Sequence, residues 1–216
     1  MASYKLGRRL AVVAFAALLP LAATSSAHAT DLGNFYIKNL WTKQCVDLTG
    51  TGAQPNGTVV WQDSCLDNGA GDNQEWGFLT TRKTALGTQL YEIVNVKSQR
   101  CLDLPGTGAD GAGTAVSLIT CQADQAADNQ EWYIDSLDGT DHTVLLINYA
   151  SSGNQPGVFS NDECLDVSGF AEDDGDESPR APLTIYPCTS TFPSNVNGSW
   201  YDGVPYDDHL WDLQAV

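Results

Sequence analysis

Carboxylates dominate the side chains of this 216-residue chain that could do chemistry, with 27 Asp and Glu against 10 Lys and Arg. A pair of them could in principle cleave a glycosidic bond. So many acids, however, create close pairs by chance. The other ingredients of catalysis are scarce. Beyond residue 29 there are two histidines, His142 and His209, and there is neither a Gly-x-Ser-x-Gly elbow nor a His-Glu-x-x-His helix. The densest acidic run, Glu172 to Glu177, carries the oxygen ligands that hard cations use. It lacks the full EF-hand spacing and reads as a solvated, self-repelling loop. The expectation is a non-enzyme that needs no cofactor and no metal.

The cysteines point the same way. Cys45, Cys65, Cys101, Cys121, Cys164 and Cys188 form an even set without any Cys-x-x-Cys, which argues against zinc ribbons and dithiol redox sites. Their spacing exposes an internal repeat. Cys45-Val46-Asp47-Leu48 is followed by Thr49-Gly50-Thr51-Gly52, by Cys65 and by Asp72-Asn73-Gln74-Glu75-Trp76. Cys101-Leu102-Asp103-Leu104 is followed by Pro105-Gly106-Thr107-Gly108, by Cys121 and by Asp128-Asn129-Gln130-Glu131-Trp132. In both copies 20 residues separate the cysteines and 11 more lead to the tryptophan.

A third copy keeps the framework and grows loops. Cys164-Leu165-Asp166-Val167 opens it, Cys188 follows after 24 residues, and His209-Leu210-Trp211 closes it. Its insertions, Ser151 to Pro156, Glu172 to Pro179 and Thr189 to Tyr206, have the Gly, Ser, Pro, Asn and Asp content of surface loops. Equal spacing in the first two copies predicts bridges within copies: Cys45–Cys65, Cys101–Cys121 and Cys164–Cys188. With every cysteine bridged, no thiol nucleophile remains.

The elements that must position these residues are strands. Phe35 to Asn39, Tyr91 to Asn95 and Val144 to Asn148 each precede the first cysteine of a copy, and the segments between turn signals are rich in Val, Ile, Thr and Tyr. A single short repeat cannot bury its own apolar face, whereas three can close a barrel. The expected fold is one all-β domain of threefold character over residues 30–216, with repeats near 31–82, 83–137 and 138–216.

Residues 1–29 read as a secretory signal peptide: Lys5, Arg8 and Arg9, then an apolar run from Leu10 to Ala23, then Ala27-His28-Ala29. An extracellular location and three disulfides agree with each other. The remainder would carry 7 basic and 27 acidic residues. That acidity repels phosphate backbones and anionic lipid surfaces, so nucleic acid is a poor partner, and no other apolar segment approaches membrane-spanning length, so no membrane span is expected.

Three copies of Cys-Val/Leu-Asp, a second cysteine and Gln-x-Trp resemble the ricin B-type (QxW) lectin family. The second copy is most similar to the actinobacterial versions. The resemblance covers nearly all of residues 30–216 and implies a β-trefoil of twelve strands, a six-stranded barrel capped by three hairpins, with up to three shallow sugar sites. It also implies roles. The Asp of the first motif accepts from sugar hydroxyls, a residue of the Asn-Gln-x-Trp motif adds a second polar contact, and an aromatic two positions before the second cysteine stacks on the sugar. A pyranose has a hydroxyl rim that such acceptors and donors suit and a C–H face that packs on a flat ring.

On that basis the first site comprises Asp47, Asn73 and Gln74. Asp63 stands at its stacking position, and Trp61, on the same face if the segment is a strand, is the substitute platform. The second site has Asp103, Asn129 and Gln130, with Ile119 in place of a ring. The third has Asp166 and Tyr186, with Asp208 and His209 replacing the amides. Trp76, Trp132 and Trp211 are expected to fill the barrel. The implied function is an extracellular carbohydrate-binding protein for galactose-type sugars or polysaccharides. The rival is a protein-binding trefoil, an inhibitor or adhesion factor, that uses the third-repeat loops.

Overall fold

The computed structural model describes residues 32–66, 73–122, 129–137, 139–153, 162–168, 179–188 and 208–216. The leader, the acidic run 172–177 and the insertion 189–206 lie outside them. Among the described residues the chain forms thirteen strands and no helix.

The first copy supplies β1 (Asn34–Asn39), β2 (Cys45–Asp47), β3 (Trp61–Asp63) and β4 (Glu75–Lys83). The second supplies β5 (Gln89–Asn95), β6 (Arg100–Asp103), β7 (Thr114–Ala115), β8 (Ser117–Ile119) and β9 (Trp132–Ser136). The third supplies β10 (Val144–Asn148), β11 (Glu163–Val167), β12 (Leu183–Pro187) and β13 (Trp211–Ala215). Strands β7 and β8 are one strand interrupted at Val116, so each copy contributes four.

Six strands close a ring. β1 pairs with β4, β4 with β5, β5 with β9, β9 with β10, β10 with β13 and β13 with β1, all antiparallel. Closure removes the free edges that would otherwise invite aggregation. The hairpins β2–β3, β6–β8 and β11–β12 cap one end. They meet on the pseudo-threefold axis in a cycle of backbone hydrogen bonds: Val60 N to Val116 O at 3.1 Å, Val116 N to Leu183 O at 2.9 Å, Leu183 N to Val60 O at 2.9 Å. This is the threefold all-β domain that the repeat predicts, and the β-trefoil that the family resemblance implies.

The core obeys the same symmetry. Trp76, Trp132 and Trp211 are fully buried, together with Ile37, Ile93 and Leu146 of the barrel strands and Val60, Val116 and Leu183 of the cap. A buried indole N–H needs an acceptor. Trp76 donates to Val46 O (3.0 Å), Trp132 to Leu102 O (3.4 Å) and Trp211 to Leu165 O (3.1 Å), in each copy the residue between the cysteine and the aspartate. The tryptophan therefore anchors the strand that carries the candidate site. The three disulfides are the intra-copy pairs expected from the spacing. In the chain-entropy picture a loop of this size stabilises by roughly 3 kcal/mol.

Candidate binding sites

Each cap hairpin lays the recurrent aspartate opposite a different residue. Asp47 pairs with Trp61, Asp103 with Ser117 and Asp166 with Thr184. Two residues along, the first cysteine of each copy faces Asp63, Ile119 or Tyr186. Directly opposed residues, and residues two apart on one strand, share a face. The aspartate, the residue opposite it and the stacking-position residue therefore line one surface in every copy. Trp61 and Asp63 do share that surface, the arrangement expected if their segment is a strand.

The asparagines do a different job from the aspartates. Asn73 and Asn129 are wholly buried. Asn73 Nδ2 donates to the carbonyls of Thr49 (3.3 Å) and Gly50 (2.7 Å), and Asn129 Nδ2 to Gly108 O (3.1 Å) and Asp110 Oδ2 (3.0 Å). They hold the glycine-containing loops that follow the aspartates. In those loops Gly50 (φ 69°) and Gly106 (φ 83°) adopt the left-handed backbone that glycine takes without penalty. The glutamines are equally buried. Gln74 Nε2 donates to Asp47 Oδ2 (3.2 Å) and Ser64 O (2.9 Å), and its Oε1 accepts from Leu66 N (3.0 Å). Gln130 repeats the backbone contacts, to Thr120 O (3.3 Å) and from Gln122 N (3.0 Å). These amides orient the site from beneath.

The first site carries a feature that the sequence did not reveal. Arg180, from the third copy, places its guanidinium 5.5 Å from the centre of the Trp61 ring and 3.6 Å from Asp63 Oδ2. Arg180 itself has φ 72°, uncommon for a residue with a side chain, and its N–H donates to Gln62 O at 2.6 Å. A cation over an indole face is attractive, so the candidate platform is already partly covered. The second site keeps Asp103 but lines its surface with Ser117 and Ile119, which provide no ring.

The third site is the best equipped. Tyr186 is 52% exposed, Thr184 Oγ1 donates to Asp166 Oδ2 at 2.8 Å, and His209 Nε2 lies 3.1 Å from Asp166 Oδ1, the place that Gln74 takes beside Asp47. The Tyr186 and His209 rings are near parallel (17°), 6.2 Å between centres. Burial pushes the Asp166 carboxyl upward. Hydrogen bonds from His209 and Asp208, the His209 charge and the Thr184 hydroxyl outweigh it and hold the group below the usual carboxylate range. Thr184 is the member that sequence reasoning missed. Its signal was available: Trp61, Ser117 and Thr184 all stand four residues before the second cysteine.

The family model described as ricin-type beta-trefoil lectin domain-like matches residues 24–119 and 72–186. Among solved structures, the designed threefold-symmetric protein ThreeFoil superposes with a TM-score of 0.57 at 18% identity, over 85% of this chain and 99% of that one. The Macrolepiota procera ricin B-like lectin in complex with lactose gives 0.51 at 17%, and the Rhizoctonia solani agglutinin 0.52 at 17%, each over 85% of this chain and 95% of the other. No curated protein matches by sequence.

Proposed function

Because the chain belongs to the ricin-type β-trefoil lectin-like family, we propose that it is a secreted, non-catalytic carbohydrate-binding protein whose principal site is that of the third copy. One observation carries the choice of site: the exposed Tyr186 ring shares a surface with the Asp166 carboxylate. That pairing supports recognition of both halves of a sugar. The ring packs on the C–H face, and the carboxylate, polarised by Thr184 and His209, accepts from adjacent hydroxyls.

The first site is secondary in this reading, because Arg180 lies over Trp61. The second, without a ring, contributes least. Galactose-type sugars or polysaccharides are the ligands, as the family resemblance implies. A single shallow site of this kind binds at roughly the millimolar level, about −4 kcal/mol. Stronger attachment then requires two or three sites on one branched glycan. Secretion agrees with the three disulfides.

Retention on immobilised lactose or galactan, compared among the wild type, Asp166→Ala and Tyr186→Ala, tests the reading. Retention that both substitutions abolish supports it. Retention that neither alters removes the third site from the account.

A further inference from the structure

The third copy departs from the others in one chemical respect. Where the first two place neutral amides, Asn73-Gln74 and Asn129-Gln130, it places Asp208-His209. Each of the first two sites therefore sets neutral amides beneath its recurrent aspartate, Asp47 or Asp103. The third gathers two carboxylates and an imidazole, and all three residues are more than nine-tenths buried: Asp166 6% exposed, Asp208 1% and His209 3%. One ligand atom from each lies within 4.8 Å of those of the other two. Two buried carboxylates this close repel unless a proton or a cation lies between them.

We propose that Asp166, Asp208 and His209 form a binding site for a divalent transition-metal cation, with zinc the best fit. Charge is the first reason. Two carboxylates and a neutral imidazole balance a dication, which turns an expensive buried charge cluster into a neutral one. Donor type is the second. Imidazole selects zinc and its neighbours, whereas calcium and magnesium favour all-oxygen shells with more ligands. Spacing is the third. Ligands about 2.0–2.2 Å from a tetrahedral zinc stand roughly 3.3 Å apart, and His209 Nε2 is 3.1 Å from Asp166 Oδ1.

The surroundings suit ligands that must be held still. Thr184 Oγ1 donates to the second Asp166 oxygen at 2.8 Å, and Asn39 Nδ2 donates to the Asp208 backbone carbonyl at 2.5 Å. Outer hydrogen bonds of this sort orient metal ligands. Three protein ligands leave a fourth position for water or for a hydroxyl of a bound sugar. The inference goes beyond the lectin reading and stands without it, since the metal is measured in the absence of sugar.

The test is calorimetric titration of the full chain, stripped with chelator, with Zn²⁺ alone, and with Co²⁺ as a spectroscopic substitute. The expected result is one equivalent of zinc at micromolar affinity or tighter, with visible cobalt absorption of tetrahedral type. The double substitution Asp208→Asn with His209→Gln restores the residues of the first two copies, so the fold should tolerate it. It is expected to weaken binding at least 100-fold, while Asp141→Asn, at an exposed carboxylate outside the three candidate sites, leaves binding unchanged. Absence of a one-equivalent site in the wild type, or equal binding by the double variant, overturns the proposal. Sugar retention measured separately in chelator distinguishes a failure of this inference from a failure of the lectin reading.

Discussion

Asn39 donates its side-chain N–H to the backbone carbonyl of Asp208, 169 residues away, at 2.5 Å. The same bond recurs from Asn95 to Asn73 O and from Asn148 to Asn129 O, each 2.7 Å. In every case the strand asparagine of one copy grips the site motif of the copy before it, and Asn39 closes the circle by gripping the last. The amide oxygen of each also caps the turn that follows its strand, accepting from Thr42 N, Ser98 N and Ser151 N respectively. All three asparagines are fully buried. Three sites that look autonomous in sequence are thus tied in a ring.

Replacing Asn39 with Ala should therefore destabilise the whole domain, by about 1–3 kcal/mol for the unsatisfied buried groups it leaves. Its local effect should fall on the third site, far away in sequence. Urea unfolding gives the stability change. Sugar titration of the folded fraction should show weaker binding for Asn39→Ala than for Asn95→Ala, whose partner lies in the first site.

Trp61 and Tyr186 should behave differently as ring platforms. With Arg180 over the indole, Trp61→Ala is expected to change sugar affinity less than threefold. Tyr186→Ala is expected to lower it tenfold or more, about 1.4 kcal/mol. Parallel titrations with one glycan decide it, and comparable losses would mean that Arg180 does not bar the first platform.

A buried acid paired to a partly exposed base makes the next expectation. Glu131, 2% exposed, receives Arg82 through Nε at 3.1 Å and Nη2 at 2.5 Å, and Thr81 Oγ1 at 2.7 Å. Arg82→Ala would strand that carboxylate. Because Arg82 is 42% exposed and water can partly replace it, a loss of about 2 kcal/mol is expected. Adding Glu131→Gln should recover part of it in a thermal unfolding series.

Stability should also depend on pH through Glu163, whose carboxyl burial raises from 4.5 to about 7. A raised acid makes the folded state hold its proton while the unfolded state releases it, so its contribution to stability declines as pH rises from about 4.5 to about 7. Burial raises Asp135 and Asp162 too, reinforcing the direction. Glu163→Gln should raise stability at pH 8 by roughly 1–2 kcal/mol after solvent screening, read as a higher melting temperature, and leave it unchanged at pH 4.

Much of this architecture is visible in the sequence because it repeats. Equal Cys-to-Cys and Cys-to-Trp intervals revealed the bridges, the hairpins and the indoles of the core, and the third copy stayed recognisable because its insertions fall between strands. What a repeat cannot show is how one copy touches another. The asparagine six residues before Cys45 and Cys101 was plain in the sequence, yet its partner belongs to the preceding copy. Arg180 reaches Trp61 for the same reason: adjacency around a closed barrel is absent from the linear pattern. Thr184 was overlooked because the residue opposite the aspartate changes type, as Trp61, Ser117 and Thr184, although its place four residues before the second cysteine is constant.

The most direct test of the account is a glycan array probed with the full chain, Asp166→Ala and Tyr186→Ala, all three confirmed folded by circular dichroism. The account predicts binding to galactose-terminated glycans or polysaccharides by the wild type and its loss in both variants. A folded wild type that leaves every glycan on the array untouched would contradict it.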